Sequence, residues 1–229
     1  MILRWRASVL TIVLTALTGV VSVAGLISPA VLGALERTPA ALHGEVWRWV
    51  TSLLVQDGGI LGTASNLIFL GLLGMAAEQV VGRTTMILCY LFAGLAGQVA
   101  GVFWQPVGAG NSVAVCGLAG LVAWSLRHER MPGWAGTAVA LWLGALLATW
   151  WPPLFAVGVL GSALDRAVAR TRPGFRTAGA VAASGAVAAA LIAVANIHGP
   201  ALAVGTLVGA VAARFRRSSP AATGDAPCG

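Results

Sequence analysis

Five stretches without a charged side chain leave this sequence few folds to choose from. Residues 7 to 35, 58 to 77, 84 to 126, 131 to 164 and 177 to 213 contain no Asp, Glu, Lys or Arg. At 29, 20, 43, 34 and 37 residues, each reaches the roughly 20 residues that an α-helix needs to cross a bilayer. Backbone N–H and C=O groups find no water in hydrocarbon, so such stretches span it as helices. Only 9% of residues are charged and 58% are apolar, whereas about a quarter of a soluble domain is charged. The chain therefore reads as an all-α polytopic membrane protein.

The 14 basic residues are all Arg and exceed the 7 acidic ones, giving +7. Spread thinly between apolar runs, they act as topology signals, and no nucleic acid partner is expected. Cysteines at 89, 116 and 228 have no metal-ligand spacing, so neither a metal site nor a disulfide framework is expected.

Breaks inside the longer intervals set the number of crossings. Gln105-Pro106-Val107-Gly108-Ala109-Gly110-Asn111 divides the third interval, and Asn196-Ile197-His198-Gly199-Pro200 divides the fifth. Trp150-Trp151-Pro152-Pro153 divides the fourth, giving two short spans or one span with a re-entrant piece. Eight transmembrane helices with the N-terminus inside place 12 Arg in the cytoplasm and only Arg37 and Arg48 outside. Basic residues collect on the cytoplasmic side, so eight crossings with both termini cytoplasmic is the preferred reading. The apolar run after Arg4 and Arg6 is too long for a signal-peptide h-region and is read as the first span. The outer segment from Glu36 to Asp57, with Trp47 and Trp49 beside Arg48, reads as an interfacial element. Residues 1–217 form the transmembrane domain, and 218–229 a disordered tail.

Where charge is this scarce, the remaining polar side chains within the spans mark candidate functional sites. Asn66 in the second span, Ser112 at the start of the fourth and His198 at the start of the last all fall in the outer half of the bilayer. Ser112 sits at a helix N-terminus, where unpaired N–H groups favour developing negative charge. That suits an attacking serine. His198, Ala201, Gly205 and Gly209 share one helical face, and Ser112, Cys116 and Gly120 another. Such small-residue stripes let helices approach closely and would bring a nucleophile to its general base. Structural readings stand beside this one. Ser112 equally suits an N-cap or a bond to its own i−4 carbonyl, His198 a loop contact, and Asn66 interhelical glue.

The order of motifs resembles the rhomboid family of intramembrane serine proteases from about Gly44 to Gly120, and again from Asn196 to Gly209. Gly44-Glu45-Val46-Trp47-Arg48-Trp49-Val50-Thr51 is similar to the family's Trp-Arg loop element. Asp57-Gly58-Gly59-Ile60-Leu61 and Asn66 stand where the family has His-Gly-Gly and HxxxN signatures. Glu78, Gly82, Tyr90 and Gly94 match its spacing across the second and third spans. Gly110-Asn111-Ser112 with Gly117-Leu118-Ala119-Gly120 resembles the GxSG segment, and His198 with Gly205 and Gly209 the last-span pattern.

The resemblance implies a rhomboid-like helical bundle, with a six-helix core and two extra helices between the Ser and His helices. It makes Ser112 the nucleophile, His198 the general base, Asn66 an oxyanion donor beside the Ser112 backbone N–H, and Trp47 and Arg48 structural loop residues. The implied reaction is hydrolysis of a peptide bond in or near a substrate's transmembrane segment through an acyl-enzyme. It needs no metal or organic cofactor. The partners are transmembrane protein substrates and the lipid bilayer, and the setting is a bacterial cell membrane. Four positions depart from the family pattern. Gly62 replaces the oxyanion His, Asp57 another His, Val113 the Gly after the nucleophile, and Cys116 an aromatic residue beside the catalytic His. These departures motivate an alternative, a catalytically weak or inactive relative that binds transmembrane helices. A small transporter or channel is a third reading, resting only on Gly-rich helices and a buried His.

Overall fold

The computed structural model describes residues 8–169 and 171–218, with side chains up to residue 215. Arg4, Arg6, Arg170, Cys228 and the expected tail from residue 219 onward lie outside the described residues. In chain order the helices are α1 (Val9–Ile27), α2 (Pro29–Leu35), α3 (Arg48–Thr51), α4 (Gly59–Val81), α5 (Arg83–Trp104) and α6 (Ser112–Ser125), followed by α7 (Ala135–Ala148), α8 (Phe155–Val168), α9 (Pro173–Ala193) and α10 (His198–Ser218). Short 3-10 turns cover Pro39–Leu42 and Pro152–Leu154. No strand occurs among the described residues, only an isolated bridge between Arg37 and Gly108.

Four helices, α1, α4, α5 and α9, are long and apolar enough to cross a membrane by length and composition. The helix ends follow the sequence breaks. Pro106 lies just beyond the end of α5, and Pro152-Pro153 separate α7 from α8, because proline lacks the N–H that an interior turn requires. Pro173 sits at the first position of α9, where that N–H has no intrahelical partner to lose.

Helix α6 is the hub. Twelve of its 14 residues are buried, which is why it is apolar on all sides rather than on one face. It packs against α4, α5, α7, α9 and α10. The seam with α10 closes at glycine. A Cβ on Gly205 would fall against the backbone of Gly117, and one on Gly120 would lie 2.5 Å from the Thr206 nitrogen. The small-residue stripe of the last helix is thus a true contact face. It meets Gly120, a member of the expected α6 stripe, and Gly117, one residue beyond the Cys116 suggested by four-residue spacing.

Buried polar pairs fasten the helix ends. Glu78 at the end of α4 accepts hydrogen bonds from Leu10 N (3.2 Å), Thr11 N (2.8 Å) and Thr11 Oγ1 (2.7 Å), and pairs with Arg83 Nε at 3.1 Å. A carboxylate here satisfies N–H groups that the first turn of α1 leaves open and complements its dipole. Arg176 on α9 pairs with both Asp165 oxygens on α8, at 2.5 and 3.1 Å, and donates to the Gly133 carbonyl at 3.0 Å. Among the twelve arginines expected on the cytoplasmic side, Arg176 is therefore more than a surface topology signal. It is buried with its carboxylate and locks the α7–α8 hairpin to α9.

The outer segment also departs from its expected place. Val46, Trp47 and Val50 are exposed as expected, but the chain then turns inward. Ser52, Leu53, Val55 and Gln56 are buried within the bundle.

Candidate active site

Ser112 and His198 each open a helix, α6 and α10, at the same end of the bundle. The Gly205–Gly117 contact holds these helices close enough for Ser112 Oγ to lie 2.9 Å from His198 Nε2. The other ring nitrogen, Nδ1, lies 2.7 Å from Asn196 Oδ1, and the His198 backbone N–H donates to that same oxygen at 3.0 Å.

The loop before Ser112 is pinned almost residue by residue. Arg37 donates to the Gln105 carbonyl and to Gln98 Oε1, and its backbone pairs with Gly108 in both directions, at 2.9 and 3.1 Å. Asp57 Oδ2 accepts from Ala109 N at 2.8 Å, and the Ser52 carbonyl accepts from Gly110 N at 2.8 Å. Gly110 has φ 142°, a conformation that L side chains rarely adopt. A Cβ there would also come within 3.1 Å of Gln56 Oε1 and 3.4 Å of Ser112 Oγ. Arg37 is 1% exposed. Burial pulls its pKa below the usual arginine value, and the Asp57 carboxylate opposes that shift.

Asn66 does not bond Ser112 directly. Its Nδ2 donates to Gln56 Oε1 at 2.6 Å, and Gln56 Nε2 donates to Asn111 Oδ1 at 2.7 Å. Three amides thus form a relay, buried at Gln56 and Asn111, from α4 to the residue preceding the serine. One Asn66 amide hydrogen is used in the relay, and the amide carries a second. Nothing lies within 4 Å of a Cβ built on Gly62. The position where the family pattern has histidine borders open space. Val113 directs its side chain against Gly97 of α5, whose notional Cβ would be 2.8 Å from Val113 Cβ. The bulk of the residue after Ser112 is therefore taken up between α5 and α6.

Arg48 and Trp47 lie in the outer segment. Arg48 pairs with Glu45 and donates to the Gly33 and Glu36 carbonyls at 2.7 and 2.8 Å, securing the end of α2. Its described bonds go to Glu45 and to the end of α2, and not to Ser112 or His198. Among the described residues, no group of three or more His, Cys, Asp or Glu side chains could hold a metal ion.

Sequence reasoning missed Gln56, Asn196 and Arg37 as parts of the site. Arg37 carried a signal, because an arginine expected on the side that basic residues avoid needs a local reason to be there. Asn196 stood in a recognised break. Gln56, outside every motif, gave none.

The family model for the Rhomboid domain matches residues 43–160. "Rhomboid protease GluP" of Bacillus subtilis (strain 168) is 34% identical over 101 residues. That match covers 43% of this chain and 20% of the relative, so the chain spans about a fifth of the relative's length.

Proposed function

Because the chain belongs to the rhomboid family and is an integral membrane protein, we propose that it is an intramembrane serine protease acting on transmembrane segments of membrane proteins. The observation that carries this reading is the 2.9 Å contact between Ser112 Oγ and His198 Nε2. In this mechanism Nε2 takes the hydroxyl proton as Oγ attacks the scissile carbonyl, and returns it to the leaving amine. Water then hydrolyses the acyl-enzyme with His198 again as base. The oxyanion is held by N–H groups at the start of α6 and by the free hydrogen of the Asn66 amide. Trp47 and Arg48 shape the outer loop.

We further propose eight crossings in a bacterial cell membrane, with a six-helix core, two added helices between the Ser and His helices, and cytoplasmic termini. Support comes from the placement of arginine. Arg83, Arg127, Arg130, Arg172 and Arg214 sit at the helix ends opposite those carrying Ser112 and His198. Helices α7 and α8 have 14 residues each, or about 21 Å, against a hydrocarbon core of roughly 30 Å. Under this topology they cross as a short hairpin in a locally thinned bilayer.

A fluorophosphonate probe tests the catalytic reading. Purified protein should be labelled in bilayers, and Ser112→Ala should abolish labelling. Equal labelling of both, or none under conditions that label an active rhomboid, would count against it. The open space at Gly62 favours a second reading, a relative that binds transmembrane helices without cutting them. It expects helix capture that survives Ser112→Ala, with no cleavage at any protein concentration.

A further inference from the structure

We propose that Asn196 is a positioning residue that fixes the tautomer of His198, adding a third member to the Ser112–His198 pair. This inference rests on the proteolytic reading above and extends it.

A single oxygen carries the inference. Asn196 Oδ1 lies 3.0 Å from the His198 backbone nitrogen. That N–H can only donate, so the atom facing it is the amide oxygen and not its nitrogen. The same oxygen lies 2.7 Å from His198 Nδ1. An amide oxygen only accepts, so Nδ1 must carry the ring proton. A neutral imidazole has one proton, which leaves Nε2 bare, with its lone pair directed at Ser112 Oγ 2.9 Å away. The serine hydroxyl therefore donates to His198. That is the direction of proton movement required of a general base.

The opposite tautomer would set two acceptors against each other at Asn196 and turn the Nε2 proton toward the nucleophile. The carbonyl dipole of Asn196 also faces the proton that Nδ1 retains when His198 becomes an imidazolium, and so stabilises it. The balance is simple: one proton passes from Oγ to Nε2 as the carbon–oxygen bond forms, and Asn196 neither gains nor loses one.

Capping alone does not account for the arrangement. A side chain two residues before a helical N–H commonly accepts from it, but that bond makes no demand on the imidazole. The 2.7 Å contact to Nδ1 is the additional feature. The two roles are separable, because Ser at 196 retains an acceptor for the backbone N–H but is one atom too short to hold Nδ1.

The test uses the full chain in nanodiscs, labelled with 15N-histidine, with His43→Gln and His128→Gln used to assign His198. In the parent protein, imidazole 15N shifts should show the proton on Nδ1 alone. Asn196→Ser should give a mixture of tautomers and at least ten-fold slower fluorophosphonate labelling. Asn196→Asp, which keeps an acceptor oxygen for both donors, should restore the single tautomer and labelling to within a few-fold. A proton on Nε2 in the parent, or an unchanged tautomer in Asn196→Ser, overturns the assignment. So does parent-rate labelling of Asn196→Ser. If the parent fails to label while an active rhomboid does, the proteolytic reading falls, and the tautomer comparison alone decides for or against Asn196.

Discussion

Ser112 Oγ and His198 Nε2 are 2.9 Å apart although 86 residues separate them in the chain. Each is the first residue of its helix, so the pair is set by how α6 and α10 cross. The closest point of that crossing is Gly205 against Gly117, two turns deeper on α10.

Gly205→Ala should therefore act at a distance on the Ser112–His198 pair. Overpacking typically costs about 1–3 kcal/mol, and here the added methyl meets backbone, which cannot rotate away. The expected result is a lower midpoint of thermal unfolding in detergent, with slower serine labelling even at temperatures where the variant stays folded.

His198→Ala should reduce labelling as severely as Ser112→Ala reduces cleavage, because the members of such a unit act together. The expected loss is roughly 10³-fold or more. Single-turnover cleavage of a transmembrane substrate would measure it. A His198→Ala variant that cleaves within ten-fold of the parent excludes this histidine as the base.

Gly62→His should increase activity. A Cβ at this position meets nothing within 4 Å, and the family pattern has an oxyanion histidine there. One such donor is worth about 10²–10³ in rate. Labelling and cleavage rates should both rise, with the gain abolished by adding Ser112→Ala. A folded variant with no gain would show that the open space does not adjoin the oxyanion.

Gln56→Ala removes the centre of the amide relay and strands Asn66 Nδ2 and Asn111 Oδ1. An unsatisfied buried polar group costs about 1–3 kcal/mol. The variant should unfold at lower temperature and label more slowly than the parent.

Arg37→Ala frees the loop before Ser112 from both Gln105 and Gln98. Arg37→Lys should fail to rescue it, because an ammonium lacks the planar fork that serves two acceptors at once. Limited proteolysis near Pro106, faster in both variants than in the parent, would report the released loop.

The sequence by itself determined that this chain is helical and membrane-embedded, because uncharged runs of this length admit no other solution in hydrocarbon. Its breaks at Pro106, Pro152 and Asn196 were legible, since proline and polar clusters act locally on the backbone. So were Ser112 and His198, conspicuous where so little else is polar. The tertiary structure decided what local signals do not encode. Arg176 looked like one more topology charge until Asp165 was found beside it across a helix boundary. Gln56 lay in no motif, yet it bridges α4 to the loop before Ser112. Asn196 read as a break and proved to hold the imidazole. Each of these roles depends on a partner from another segment or on the angle of a side chain. Residue type and spacing fix which groups can bond, but only the packing of helices fixes which of them meet.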